Sequence, residues 1–579
     1  MGDKTTQLDT FDAQDGAGTD DAESKHYKLG VATNVVPMQI SHLGEPYWES
    51  YQTPSGYQVY AQALVPPHLP GIVIFVHGVN SEGEWYEAAE GALCEGLNRR
   101  LGRQDITPNA YSDKGDKGGM TARHVQRVGR SPVIRFYWGY RPEDGKEHKW
   151  PVPLRNIRGE DGWKTKDLKD SGPWYWGGGP FQNGTNNLQQ LWSRKGFDPT
   201  MFGFVNIQWF NTEWDRELHA APGRQYYAHA AQRLANLIDK IRMQCPGDTI
   251  TVMSHSQGTM VSMAATLMCK TRAPDALFVM NSPFALEDKS TDALTTGHNR
   301  PTTQARVNTF RNVAERIKKD RKVFTEEDLQ LLHVGATKEM ELWNMEAVNN
   351  DIQERDNHGR FYVYFNPHDR VMGSAALASI GWQGVSDALI DELGDTVKQR
   401  MLARGTPCGE APAMTKFGSL PPILNPEPGV KPDDFWNGNR TVAGLDLWVV
   451  PNKNQRVNIN AEQVPDPITA EEMALPSPYT VTLLTDGQPV QYEVYRYFDQ
   501  ALSDQNALGA RSADGSYLDR SVPFLESIHK LEKQVRSDPY TTGPTMRTEN
   551  HDEMIKRYEE YQPMPTNHST LPQHHEFMS

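Results

Sequence analysis

The chain has 579 residues, enough for roughly four domains at about 150 residues each, or for one large domain with insertions. Hydrophobic residues make up 37% and charged residues 23%, a composition that can build a core and excludes a wholly disordered chain. With 59 Lys+Arg against 74 Asp+Glu, the net charge of -15 disfavours nucleic-acid binding and purely electrostatic adhesion to anionic lipid, since both need a basic face.

Residues 1–30 read as a disordered acidic tail without the apolar stretch of a signal peptide. No apolar run approaches the ~20 residues of a transmembrane helix. Export, if it occurs, is therefore expected without a Sec signal. From about Tyr57 strand and helix signals alternate. Residues 71–76 are continuously apolar, as a parallel strand buried on both faces requires. A helix is expected over 85–100, strands at 133–138 and 204–209, and an amphipathic helix over 224–243. A strand at 249–253, a helix at about 257–270 and strands at 276–280 and 361–365 complete the alternation. The expected fold class is α/β, with a mostly parallel, doubly wound sheet.

Polar insertions interrupt this pattern at about 101–195, which contains Trp174, Tyr175 and Trp176, and at 286–358. The aromatics of the first could meet a lipid interface or pack inside the insertion. The expected organisation is a core over 31–374, a cap region over 375–550 and a C-terminal segment over 551–579. Cys94, Cys245, Cys269 and Cys408 form no CxxC pair. They read as scattered buried thiols rather than a zinc site, and no metal or organic cofactor is expected.

The most informative stretch is Ser254-His-Ser-Gln-Gly258 between a strand and a helix. That is the context of a nucleophile elbow, where a tight turn exposes a serine above the sheet at a helix N-terminus. Ser256 is the candidate nucleophile. Gly258 fits the need for small residues where strand and helix nearly touch, Ser254 stands in place of the usual glycine, and His255 reads as a packing residue. Acyl transfer needs two preorganised N–H donors for the oxyanion. One is expected from Gln257, after the nucleophile; the other from the loop His77-Gly-Val-Asn80, with Val79 first and Asn80 next.

Asp369, on the loop after strand 361–365, is the candidate orienting acid, with Asp288 as its rival. The base must be found among 18 histidines. His568 leads, on a loop late in the chain after a helical stretch. His574, His575 and His551 stand behind it, and His529 reads as exposed on a charged helix.

Longer segments carry a resemblance. Phe75-Val-His-Gly-Val-Asn80, Phe136-Tyr-Trp-Gly-Tyr-Arg141, the stretch from Ala221 to Ala231, Ser254-His-Ser-Gln-Gly-Thr259, Asn366-Pro-His-Asp-Arg-Val371 and Asn567-His-Ser569 resemble the third family of lipase effectors of bacterial type VI secretion systems. The resemblance implies an α/β-hydrolase fold with Ser256, Asp369 and His568 as its triad, and hydrolysis of phospholipid esters. It further implies synthesis in the bacterial cytoplasm, delivery on the secretion spike with its adaptor proteins into a rival's periplasm, and a cognate immunity protein in the producer. Two other readings share the motifs: a serine esterase or thioesterase acting on soluble acyl substrates, and a degenerate hydrolase serving as a binding module.

Overall fold

The computed structural model describes mainly residues 69–112 (apart from 80, 82 and 84), 124–138, 184–193, 224–289, 300–325, 355–402 (apart from 368, 370 and 374–376), 457–461 and 568–579, with shorter pieces between them. The acidic tail, Asn80, Trp174, Tyr175, Trp176, Cys408, His529, His551 and most of the expected cap region lie outside the described residues. The described parts fall into two compact units, a smaller one from segments 1–70, 97–106 and 324–356, and a larger one from 71–96, 107–323 and 357–579.

The smaller unit holds an antiparallel sheet of Gln39–Ile40, Pro46–Gln52 and Val59–Leu64, with two short hairpins at His333–Val334/Glu341–Leu342 and Val348–Asn349/Ile352–Gln353.

Among the described residues, the central sheet of the larger unit has six strands: β1 (Ile72–Val76), β2 (Val133–Phe136), β3 (Ile250–His255), β4 (Ala276–Met280), β5 (Arg360–Phe365) and β6 (Val397–Met401). Their order across the sheet is β6-β5-β4-β3-β1-β2, and every pairing is parallel. The chain moves outward from β1 to β2, returns past β1 to β3, then continues through β4 and β5 to the opposite edge. The β1/β3 boundary is therefore the topological switch point, where the carboxyl ends of the strands leave a crevice.

Parallel strands covered on both faces read as continuous apolar runs, and alternate residues serve opposite layers. Ile74 and Val76 of β1 join one layer with Leu277, Val279, Phe361 and Val363. Among the described residues, the long helices on that face are α2 (Gln225–Gln244), α3 (Gln257–Met268) and α4 (Thr303–Asp320). Each contributes residues at three- and four-residue spacing, such as Leu234 and Ile238 from α2 and Phe310, Val313, Ala314 and Ile317 from α4. Phe75 of β1 faces the other layer, with Met280, with Trp85, with Tyr86 and Ala89 of α1 (Tyr86–Leu101), and with Leu571 and Met578 near the C-terminus. Each large side chain so buried contributes about 1.5–3 kcal/mol.

Two elements differ from expectation. Residues 204–209 were expected to form a sheet strand. Val205–Asn206 instead pairs antiparallel with Thr200–Met201, and the alternation of Asn206 and Gln208 with apolar neighbours lacks the continuous apolar run of a central parallel strand. β6 lies inside the expected cap region, yet it is the edge strand of the central sheet. Its Lys398, Gln399 and Arg400 conceal it. Gln399 is buried through side-chain bonds with the Val385 backbone, accepting from its N–H and donating to its carbonyl. Cys94 and Cys269 are buried as expected, whereas Cys245 is exposed.

Candidate active site

Ser256 follows β3 directly and caps α3, with φ 54° and ψ -133°. This left-handed conformation is costly for a residue with a Cβ and persists only where its surroundings over-determine it. Those surroundings are visible. The Ser256 N–H donates to the Met280 carbonyl at 2.9 Å, and its carbonyl accepts from Thr259 Oγ1 at 2.7 Å. A Cβ on Gly258 would lie 2.2 Å from the His77 carbonyl oxygen, so the helix passes directly over the end of β1. Ser254 is tolerated in place of glycine because its hydroxyl points to β4 and donates to the Phe278 carbonyl at 2.8 Å.

His568 lies over the serine. Its Nε2 is 2.7 Å from Ser256 Oγ and its Nδ1 is 2.6 Å from Asp369 Oδ2. The carboxylate accepts only, so Nδ1 carries the proton and Nε2 is free to accept from the serine hydroxyl. Asp369 is fully buried, and a buried charge is tolerable only when its lone pairs are satisfied. Here Oδ1 accepts from the Val371 and Met372 N–H groups, and Oδ2 accepts from Asn281 Nδ2 and His568 Nδ1.

His255 packs edge-on to Trp85, as a packing residue should. It also donates its Nε2–H to the His568 carbonyl at 2.8 Å. Burial, and then the neighbouring His568, hold its protonation well below the usual histidine range. It is therefore a neutral donor at physiological pH. No sequence signal distinguishes that role from packing.

Gln257 is the first residue of α3, so its N–H has no partner within the helix. Its side chain is tied back to Thr185: Oε1 accepts from the Thr185 N–H at 3.2 Å and Nε2 donates to Oγ1 at 2.5 Å. Next to Thr185, Asn186 Nδ2 donates to Asp292 at 2.6 Å, and Asp292 is ion-paired with the buried Arg306. Val79 follows Gly78 at the end of β1 and packs against the core. The loop before it is braced. His77 stacks on Trp138 with centroids 5.0 Å apart, and its carbonyl accepts from Trp138 Nε1 at 2.7 Å. Tyr86 Oη accepts from the His77 N–H at 2.6 Å. A Cβ on Gly78 would meet the Ser256 Cβ at 2.8 Å, so the loop passes Ser256 in close contact.

The rival residues are elsewhere. Asp288 is exposed, beside Arg300 and the start of α4. His574 uses Nδ1 to cap the turn His575–Met578, and His575 faces Glu95. Among the described residues, no group of three or more His, Cys, Asp or Glu is placed to hold a metal ion.

Fold and site together define an α/β protein carrying a hydrogen-bonded Ser–His–Asp line at the carboxyl edge of a parallel sheet. The family profile described as the T6SS Tle3 phospholipase effector domain matches residues 69–386, and the chain belongs to that family. The match includes Ser256 and Asp369 and stops short of His568. The curated antibacterial effector protein Tle3 of Pseudomonas aeruginosa strain PAO1 is 32% identical over 383 residues, covering 58% of this chain and 51% of the relative. The chain thus spans about half the length of that relative.

Proposed function

We propose that the protein is an antibacterial phospholipase of A type with an α/β-hydrolase fold, cleaving carboxylic esters of membrane phospholipids. The observation that carries this reading is the unbroken Asp369–His568–Ser256 line in a member of a phospholipase effector family. Ser256 Oγ attacks the ester carbonyl carbon as its proton passes to His568 Nε2. Asp369 holds the imidazole tautomer and stabilises its cation. The Gln257 and Val79 N–H groups bond the tetrahedral oxyanion. Collapse breaks the ester C–O bond, and His568 protonates the departing glycerol oxygen. Water then cleaves the acyl-enzyme by the same route, releasing fatty acid and freeing Ser256.

In this reading segment 551–579 returns the base to the central sheet of the larger unit. Family membership supports carriage on the type VI spike with adaptor proteins, action at the membrane from the target-cell periplasm, and a cognate immunity protein in the producer. Among the described residues no helix is long and apolar enough to cross a membrane, and with a net charge of -15 membrane contact must be local and apolar.

The test follows fatty acid and lysophospholipid released from mixed phospholipid vesicles by wild type and Ser256→Ala. Release should fall at least ~10⁴-fold in the variant, and the lysolipid isomer identifies the position cut. Equal release by both proteins would overturn the mechanism. Turnover of short soluble esters with no gain on vesicles would move the assignment to a soluble esterase, and inactivity on both would favour a binding module.

A further inference from the structure

Asn281 follows β4, which lies between the strand leading to Ser256 and the strand leading to Asp369. Its φ is 50°, a left-handed value that Asn, Asp and Gly adopt most readily. Its Nδ2 donates to Asp369 Oδ2 at 2.7 Å, on the same oxygen that receives the His568 Nδ1 proton at 2.6 Å. Its Oδ1 is buried and has no hydrogen-bond partner among the described residues. A residue chosen only for the turn would not carry that penalty, because glycine takes the same φ and buries no amide. The half of the amide that is used is the donor, and it meets the acid of the line.

We infer that Asn281 is a positioning residue, whose amide fixes the Asp369 oxygen that faces His568 and places a neutral donor where a second carboxylate would fit. The inference rests on the proposed Ser256–His568–Asp369 mechanism. Oδ2 has its lone pairs divided between Asn281 and His568, so the carboxyl group cannot rotate without losing one of them. The strand end after β4 thus brings a neutral donor, and His568 its Nδ1–H, to one oxygen of the carboxylate carried after β5.

The test uses the full chain and the variants Asn281→Gly, Asn281→Asp, Asp369→Asn and the Asn281→Asp/Asp369→Asn double variant. Kinetics on an ester are joined to proton NMR of the downfield His568 Nδ1–H resonance and its pH titration. Asn281→Gly should lower kcat about 10- to 100-fold with KM within about twofold, and weaken the resonance. Asn281→Asp puts two carboxyl groups within hydrogen-bond distance, and the His568 titration should rise by about one pH unit once both ionise. Asp369→Asn should cost about 10⁴-fold in kcat, and the double variant should recover at least about tenfold of it.

Wild-type kcat with an unchanged resonance in Asn281→Gly would overturn the inference. If that variant does not fold, an unchanged His568 titration in Asn281→Asp overturns it instead. Should wild type show no Ser256-dependent hydrolysis, the functional reading fails separately, and the resonance and titration still decide the role of Asn281.

Discussion

A Cβ placed on Gly258 would approach the Val76 carbonyl oxygen to 2.6 Å as well as that of His77 to 2.2 Å, and both obstacles are backbone. Alanine there must push α3 away from the end of β1, and Ser256, the residue capping α3, moves with it. Gly258→Ala is expected to destabilise the fold by about 1–3 kcal/mol and to reduce ester hydrolysis about 100-fold. Urea unfolding midpoints and turnover measure the two effects. The elbow was legible in the sequence because this steric demand leaves a small residue at a set distance from the serine. His255 and Asn281 were not legible in their roles. Each acts through a bond to a residue far along the chain, His568 or Asp369, and local sequence holds no trace of such a partner.

Between elements, the segment around Thr185 is held by a buried polar network. Arg306 of α4 pairs with Asp292 and donates to the Asn186 carbonyl and side-chain oxygen. Thr185, next in the chain, grips the Gln257 side chain. Removing one member of a buried ion pair leaves the other charge uncompensated, which typically costs about 3–5 kcal/mol. Asp292→Ala is expected to lose stability on that scale in denaturant unfolding, and to lower turnover further by loosening Gln257. The helices α1, α2 and α3 were readable in the sequence, α2 from its periodic apolar stripe, whereas α4 fell inside the stretch read as a polar insertion at 286–358. The edge strand β6 was not, because Lys398, Gln399 and Arg400 break the apolar run, and its burial depends on partners such as Val385.

At the scale of the whole molecule, the half-buried His229 and the buried His255 tie stability to pH. Burial lowers His229 from 6.5 to about 4 and holds His255 well below 6.5. Below pH 6.5 the unfolded chain takes up protons that the native state refuses, so stability rises with pH across this window. The contribution is complete above about pH 6.5 and is lost progressively toward about pH 4. Thermal midpoints measured from about pH 7 to about pH 4 should fall steadily, and His229→Asn should flatten the decline if it preserves the fold.

Short-range chemistry along the chain by itself determined the α/β alternation, the strand–turn–helix at Ser256, the glycine-bearing loop before Val79 and the loop after a strand that carries Asp369. Each is a local pattern: an apolar run buried on both faces, a small residue at a contact, a carboxylate after a strand. Sequence also ranked His568 first among several histidines without separating it fully from His574, His575 and His551. Tertiary structure alone decided that His568 stands 2.7 Å from Ser256 Oγ while His574 caps a turn. It alone set the switch point between β1 and β3, the return of β6 to the sheet edge, and the convergence of Asn281 and His568 on one carboxylate oxygen. Those facts depend on which distant segments share a layer, and that choice is made by packing the whole core rather than by any one stretch of it.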